Sequence, residues 1–240
     1  MRSRGFTLIE TIITVAIAAI LLTMALTSFN TMMASARTRS VAESILAGLQ
    51  MARSEAIARN APMRFQLVYV DVPANPQDAL NWASCSSDPA SPAPSLWVVS
   101  QTDLTGTGTN GIVDAHCDAA AYMPTDTCIQ GGSCTDSYWI AFKSAGKVVP
   151  DVTVEACTDH DTTPPDYCNS TPATVVTFDP LGKVVGNLIG QLDSLRFISV
   201  RQTTTGNGDP GKVWAVRINA NGGIKFCDPA LAASEPLSCS

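Results

Sequence analysis

The sequence predicts an α+β protein in which a long N-terminal α-helix packs on a C-terminal antiparallel β-sheet domain stapled by disulfides. Three observations support this prediction. An apolar and then amphipathic stretch without proline fills residues 6–61 of the 240-residue chain. Short β-rich segments, separated by turns that contain Gly, Pro or Asn, fill much of the remainder. All eight cysteines lie at or beyond Cys85, which separates a cysteine-free first third from the rest.

The composition indicates a folded, acidic protein with few charges. Charged residues make up 15% of the chain and hydrophobic residues 45%, so a core is available and a disordered acidic tail is excluded. The formal net charge is −6, from 15 basic and 21 acidic residues. Because there is no basic surplus to neutralise many phosphates, nucleic acid is a disfavoured partner.

The N-terminus combines a basic leader with a long apolar run. Residues 1–5 contain two arginines, and the following run, about 6–29, carries a single charge at Glu10. Roughly 20 helical residues cross the hydrocarbon layer, so this run predicts a transmembrane first half of the helix. The leader arginines favour a cytoplasmic N-terminus and an external domain, where disulfides persist. A plain signal anchor would share these features. However, a carboxylate inside a span is costly unless it is paired, which makes Glu10 a functional candidate.

The hexapeptide Gly5-Phe-Thr-Leu-Ile-Glu10 resembles the type IV prepilin signal, both in its residues and in its place between a basic leader and an apolar helix. The resemblance implies that a prepilin peptidase cleaves after Gly5 and N-methylates the new first residue, Phe6. It also implies that Glu10, the fifth residue after cleavage, pairs with the terminal amine of a neighbouring subunit and sets the packing register. Many pilins have a proline where this chain has Thr27, so the resemblance does not carry the associated kink over to this helix.

The helix is predicted to continue to about residue 62 as an amphipathic segment, so that it spans 6–62. Apolar residues recur at spacings of three and four and define one buried face: Val41, Ile45, Leu49, Ala52 and Ala56. Arg53 and Arg59 are expected on the solvated side of the helix. Asn60 and Pro62 are expected to end it. The stretch 49–63 is similar to the helix end in the GspH/FimT group of pseudopilins and minor pilins, in which a strand follows directly.

The segment 63–240 is predicted to be a globular β-rich domain with a loop-rich insertion at about 73–137. Strands are predicted at Met63–Val72, Leu96–Gln101, Tyr138–Lys143, Val152–Ala156, Thr174–Asp179, Lys183–Val185, Leu195–Gln202, Val213–Asn219 and Ile224–Cys227. Turns at 179–182 and 219–223 close two hairpins. The late strands resemble the closing strands of the GspH/FimT domain, so the resemblance covers about residues 1–72 and 174–229.

The cysteines predict disulfides rather than a metal site. An even number of widely spaced cysteines without a Cys-x-x-Cys pair disfavours zinc and indicates an oxidising compartment. Cys157 with Cys168, and Cys227 with Cys239, are candidate short-loop pairs among the many connectivities that eight cysteines allow. The other four lie in the insertion and are candidates for stapling it: Cys85, Cys117, Cys128 and Cys134.

No catalytic constellation stands out, so the sequence predicts a protein that is not an enzyme and has no cofactor and no metal. The motifs of serine hydrolases, zinc proteases and phosphate-binding loops do not occur. His160 lies in an acidic segment inside the Cys157–Cys168 loop, where a solvated loop is favoured over a metal site. Lys225 is a weak nucleic-acid candidate. It lies where DNA-uptake minor pilins of the FimT type resemble one another in a basic loop, most of which this chain lacks.

The resemblance implies a minor pilin or pseudopilin, a structural subunit of a type IV pilus or a type II secretion pseudopilus, located at or near the filament tip. The implied partners are prepilin peptidase, other minor pilins or pseudopilins, the major pilin and the inner-membrane assembly platform. The expected location is the bacterial inner membrane, single-pass with a cytoplasmic N-terminus and a periplasmic domain, and then the filament. A DNA-binding minor pilin is the first alternative and a membrane-anchored periplasmic enzyme the second. The sequence fits a pilus and a secretion system equally well.

Overall fold

One long helix and ten strands make up the described part of the computed structural model. The residues that it describes are 8–71, 81–86, 95–101, 139–144, 149, 151–161, 167–168, 170–187, 193–202 and 212–239. The predicted leader, residues 1–5, and most of the predicted insertion, 73–137, lie outside this set.

Helix α1 runs from Leu8 to Arg59 over 52 residues and ends, as predicted, just before Asn60 and Pro62. Asn60 adopts a left-handed backbone conformation with a φ of 50°, which asparagine tolerates better than most residues. The amide of Ala61 donates to the carbonyl of Ala56 at 3.2 Å, so a residue outside the helix closes its last turn. Pro62 follows, and it lacks the amide that another helical turn would need.

The two halves of α1 have different surroundings. Val41 is 5% exposed, and Ile45, Leu49, Ala52 and Ala56 are fully buried, which confirms the predicted apolar face. In contrast, every residue from Leu8 to Leu22 is exposed. Among the residues that the structure describes, no helix has both the length and the apolarity needed to cross a membrane. The span predicted at about 6–29 extends beyond the described residues and stays a prediction.

The strands form two antiparallel sheets. The first has the order β4-β3-β1-β6-β7, with β2 paired to β1, and the second has the order β10-β9-β8-β5. The strands of the first sheet are β1 (Met63–Asp71), β2 (Asn81–Ser86), β3 (Leu96–Gln101), β4 (Trp139–Lys143), β6 (Val175–Phe178) and β7 (Val184–Val185). Those of the second are β5 (Val152–Cys157), β8 (Phe197–Gln202), β9 (Trp214–Ile218) and β10 (Ile224–Cys227).

The predicted strands are present, with ends that shift by two residues or fewer, and both predicted hairpin turns form. Strand β2 was not predicted. It lies inside the segment interpreted as a loop-rich insertion, and its sequence, Asn-Trp-Ala-Ser-Cys-Ser, has no β-branched residue and no clear alternation. Pairing with the end of β1 therefore determines its conformation, through Tyr69 opposite Ser86 and Val70 opposite Cys85.

The core lies between α1 and both sheets, because the buried helix face packs against β1, β3, β8 and β9. The closest approach of helix and sheet is at Gly48, where an added Cβ would lie 2.7 Å from the Trp97 ring and 2.9 Å from Phe65. These two rings have their centroids 5.9 Å apart, and the Trp97 indole N–H donates to Oγ of Ser44 at 3.1 Å. A side-chain-free position on the helix thus lets an indole fit beneath it.

The opposite face of the second sheet is covered by two disulfide-closed segments, and both predicted pairs are confirmed. Cys157–Cys168 and Cys227–Cys239 join Cα atoms 5.7 Å and 5.0 Å apart. Around them a second, smaller core forms from Tyr167, Phe197, Val213 and Ala215. Cys117, Cys128 and Cys134 lie outside the described residues.

Candidate functional site

The first candidate site is the N-terminal end of α1. Gly5 and Phe6, the predicted processing residues, lie outside the described part of the chain, so their expected roles stay predictions. Glu10 lies in the first turn of the described helix and is exposed. A carboxylate there interacts favourably with the partial positive charge of a helix N-terminus.

The segment that carries Glu10 is an exposed apolar rod, residues 8–22 of α1, which we call the stem. Its large apolar side chains are between 51% and 77% exposed: Leu8, Ile9, Ile12, Ile13, Val15, Ile17, Ile20, Leu21 and Leu22. The hydroxyls of Thr11 and Thr14 donate to the carbonyls of Leu8 and Thr11, at 2.8 Å and 2.9 Å. These two hydroxyls are thus bonded within the helix, as an apolar environment requires. A contiguous apolar surface of this kind marks a contact with membrane or protein.

Two β-turns of the domain, at 179–182 and 219–223, lie against the C-terminal end of α1. Arg53 is half-buried and its Nε donates to the carbonyl of Gly182 at 3.1 Å, so the expectation that Arg53 is a solvated residue is wrong. The two turns touch each other, because the amide of Val184 donates to the carbonyl of Ala220 at 3.2 Å. At Gly222, where φ is 80°, a Cβ would lie 1.7 Å from the carbonyl oxygen of Gly182, so only glycine fits. Sequence spacing found both turns but not the arginine that joins them.

Arg59 is less exposed than expected, although its i, i+4 spacing to Glu55 by itself favours an ion pair. Its side chain is 29% exposed and its Nε lies 2.5 Å from Oε2 of Glu55, one helical turn earlier. Pairs at this spacing stabilise a helix by about 0.2–0.5 kcal/mol. Arg59 is therefore a partly covered partner of its own helix.

Arg64 is a buried cation that sequence reasoning missed. It lies on β1 between Ser100 and Thr177 of the neighbouring strands and is 1% exposed. Its Nε is 3.3 Å from Oγ1 of Thr177, and its Nη1 has no hydrogen-bond partner in the described part of the chain. Burial lowers the pKa of Arg64 to about 10, so the guanidinium keeps its charge at neutral pH. The alternating pattern of β1 shows a polar residue at this position, but not that neighbouring segments cover it.

The predicted loop residue His160 and the weak candidate Lys225 belong to the outer face of the second sheet. Strand register places Cys157, Phe197, Arg217 and Lys225 opposite one another in one row across four strands. The imidazole of His160 packs on Phe197 with ring centroids 4.8 Å apart. The expectation of a solvated His160 is therefore wrong. Lys225 lies within a strand and is half-buried, rather than on an open loop.

The pKa of His160 is lowered by burial first and by the charge of Arg217 second, while Asp159 and Asp161 act in the opposite direction. Within the ranges that the structure describes, no three His, Cys, Asp or Glu side chains gather into a group that could hold a metal ion. The chemistry of this region is therefore set by arginine, histidine and aspartate side chains.

A long helix with an exposed apolar stem, carrying a disulfide-stapled β domain at its other end, is the architecture of a pilin-type filament subunit. Two family models match the chain. The prokaryotic N-terminal methylation motif matches residues 1–26, and the type II transport protein GspH matches residues 41–222. The chain belongs to the GspH family, a family of minor pilins and pseudopilins that act as structural subunits. The N-terminal motif implies inner-membrane anchoring before filament entry.

Two solved structures are also similar. Both are crystal structures of the type IV minor pilin FimU from Pseudomonas aeruginosa, at 16% and 18% identity. The matches cover 86% and 84% of this chain and 97% and 99% of those chains, with TM-scores of 0.38 and 0.37. Comparison with curated proteins gives no match.

Proposed function

We propose that the chain is a minor pilin or pseudopilin that is processed at its N-terminus and enters a type IV pilus or a type II secretion pseudopilus through its stem. The observation that carries the proposal is the exposure of every residue from Leu8 to Leu22, within the stretch that matches the methylation motif, residues 1–26. An apolar helix that its own domain leaves uncovered needs lipid before assembly and neighbouring stems after it.

Processing changes the charge at the end of the stem. Cleavage after Gly5 would remove Arg2 and Arg4, leaving 13 of the 15 basic residues against 21 acidic ones, or −8 before the new amine is counted. The new amine, on Phe6, is a cation near the membrane boundary. This arrangement fits a single-pass protein with a cytoplasmic N-terminus and a periplasmic domain. The periplasm is a compartment in which the two disulfides persist.

Glu10 is the proposed register residue. Among packed stems its carboxylate can pair with the Phe6 amine of a neighbouring subunit. Removing one member of a buried ion pair costs about 3–5 kcal/mol, because it leaves the other charge without compensation. A wrong register along the bundle has the same effect, so the pair favours one alignment of stems.

The proposed partners follow from this assembly route. They are prepilin peptidase for cleavage and methylation, the inner-membrane assembly platform, the major pilin and other minor pilins or pseudopilins. The long segment at about 73–137 supports a position at or near the tip. A subunit at the tip can carry such an additional segment because it occurs once per filament. In a major subunit the same segment would have to be accommodated at every position along the shaft.

The experiment compares Glu10→Gln with Glu43→Gln in the full chain. Both remove one carboxylate from an exposed position of α1, but Glu43 already pairs with Arg39 at 2.7 Å within its own helix. We expect Glu10→Gln to be processed normally and to be reduced about tenfold or more in sheared filaments, while Glu43→Gln assembles like wild type. Mass spectrometry of the N-terminus checks processing.

Two results would contradict this proposal. Equal incorporation of Glu10→Gln and wild type would remove the register role alone. A mature protein that still begins at Met1, without methylation on Phe6, would refute the pilin function as a whole.

A further inference from the structure

A pocket lies on the outer face of the second sheet. Its volume is about 210 Å³. One wall is the loop at 158–160, the floor is Phe197, and the remaining walls are Arg196 and the segment 217–220. It therefore lies where the Cys157–Cys168 loop meets the end of β9.

The walls of this pocket are held by covalent and hydrogen bonds. The Cys157–Cys168 disulfide closes the loop, and Ser170 Oγ donates to the carbonyl of Asp159 at 2.8 Å and accepts from its amide at 3.0 Å. The amide of Arg196 donates to the carbonyl of Cys157 at 2.9 Å. The cavity is thus formed before any ligand arrives, which reduces the ordering cost of binding.

Hydrogen-bond donors exceed acceptors among the side chains that line the pocket. The Arg196 side chain lines the pocket and is half-buried. Nη1 of Arg217 donates a hydrogen bond to the carbonyl of Cys239. The other N–H groups of this guanidinium remain as donors for a ligand. Nε2 of His160 is buried and has no hydrogen-bond partner among the residues that the structure describes. Asp159, the one acidic side chain among the described lining residues, accepts the amide of His160 at 2.8 Å.

We propose that this pocket binds a small oxyanion of phosphate size, held by the guanidinium groups of Arg196 and Arg217 and by Nε2 of His160. The two guanidinium groups and the carboxylate of Asp159 give the pocket lining a net positive charge. Guanidinium N–H donors also match the geometry of phosphate oxygens. The volume fits a phosphate group with a small substituent. A polyanion is disfavoured, because Asp159 lines the pocket, Asp161 lies close enough to act on His160, and the whole chain carries −6.

Binding should depend on pH through His160. Arg217 and burial lower the pKa of His160, and Asp159 and Asp161 oppose them. A bound anion adds a negative charge beside the ring and favours the imidazolium, so it raises that pKa. By linkage, an oxyanion of fixed charge binds more tightly as the pH falls through the titration of His160.

The test titrates the full chain in non-ionic detergent with inorganic phosphate, against sodium chloride of equal ionic strength, and follows the histidine NMR signals over pH. The chain has two histidines, and His160→Asn assigns the relevant signal. We expect phosphate, but not chloride, to raise the pKa of His160. We also expect Arg196→Gln to weaken phosphate binding about tenfold or more, the effect of losing one hydrogen bond to a charged group.

The matched control is Arg37→Gln, which removes the same charge from a half-exposed position on α1. Equal phosphate affinity in Arg196→Gln and wild type would overturn the proposal, as would an equal loss in both variants.

If acetate competes as well as phosphate, any small carboxylate is an equal ligand and the phosphate assignment fails. If a short single-stranded DNA binds more tightly than phosphate and Arg196→Gln abolishes this, a polyanion site replaces the one proposed. Near-UV circular dichroism verifies that each variant is folded, and stem assembly is independent of every outcome.

Discussion

Replacing Gly48 by alanine tests the close packing of α1 on the first sheet. The new methyl would lie 2.7 Å from Cδ2 and Cε2 of Trp97 and 2.9 Å from Cε2 of Phe65. Carbon atoms in contact are about 3.5–4.0 Å apart, so helix and rings would have to separate by roughly 1 Å. Overpacking of this kind costs about 1–3 kcal/mol, whereas glycine to alanine within a helix gains about 1 kcal/mol. We expect a net loss of about 1 kcal/mol in the free energy of unfolding.

The assay is chemical unfolding of the full chain in non-ionic detergent, followed by near-UV circular dichroism. The control is Ala47→Gly, the exposed neighbour, which loses helix propensity without a change in packing and should cost up to about 1 kcal/mol. A double-mutant cycle with Trp97→Phe isolates the clash, because the hydrogen bond from Trp97 to Ser44 is lost in both arms. Alanine at position 48 should cost less when the indole is replaced. If Gly48→Ala instead stabilises the protein by as much as Ala47→Gly destabilises it, the packing argument is refuted.

Two further predictions concern the sheets. Arg64→Met should raise the free energy of unfolding at pH 7 by about 1–3 kcal/mol, because it removes a buried cation whose pKa burial has lowered to about 10, while Arg64→Lys should bring no gain. A loss of several kcal/mol in Arg64→Met, measured by urea unfolding, would show that the charge is compensated after all. The double variant Cys157→Ser, Cys168→Ser should lose about 3 kcal/mol, the entropy of closing a loop with a sequence separation of 11. Thermal unfolding that matches wild type under non-reducing conditions would contradict this value.

The elements that the sequence predicted have local causes. Asn60 and Pro62 end α1 because of their own backbone preferences, and the apolar repeat from Val41 to Ala56 identifies the buried face without knowledge of what covers it. The turn that begins at Asp179 is stabilised by its own side chain, which accepts the amides of Leu181 and Lys183 at 2.9 Å and 2.8 Å. Such signals act over a few residues and can be read in order along the chain.

The features that sequence reasoning missed depend on distant neighbours. Strand β2 has weak intrinsic preference and exists because β1 offers it an edge. The burial of Arg64 depends on the strands on both sides of β1 and on what lies over them. Likewise, His160 appeared to be a solvated loop residue because its nearest sequence neighbours are acidic. Its actual surroundings come from Phe197 and Arg217, far along the chain.

By itself the sequence determined the N-terminal motif, the course and end of α1 and nine of the ten described strands, because each depends on residue type and spacing within a short stretch. It gave the two short-loop disulfides only as candidates among many connectivities. The tertiary structure alone decided which strands are adjacent, which arginines are buried, and how Arg53 joins two turns to the helix. These outcomes follow from packing between segments that are distant in sequence, where burial and charge are properties of the assembled fold.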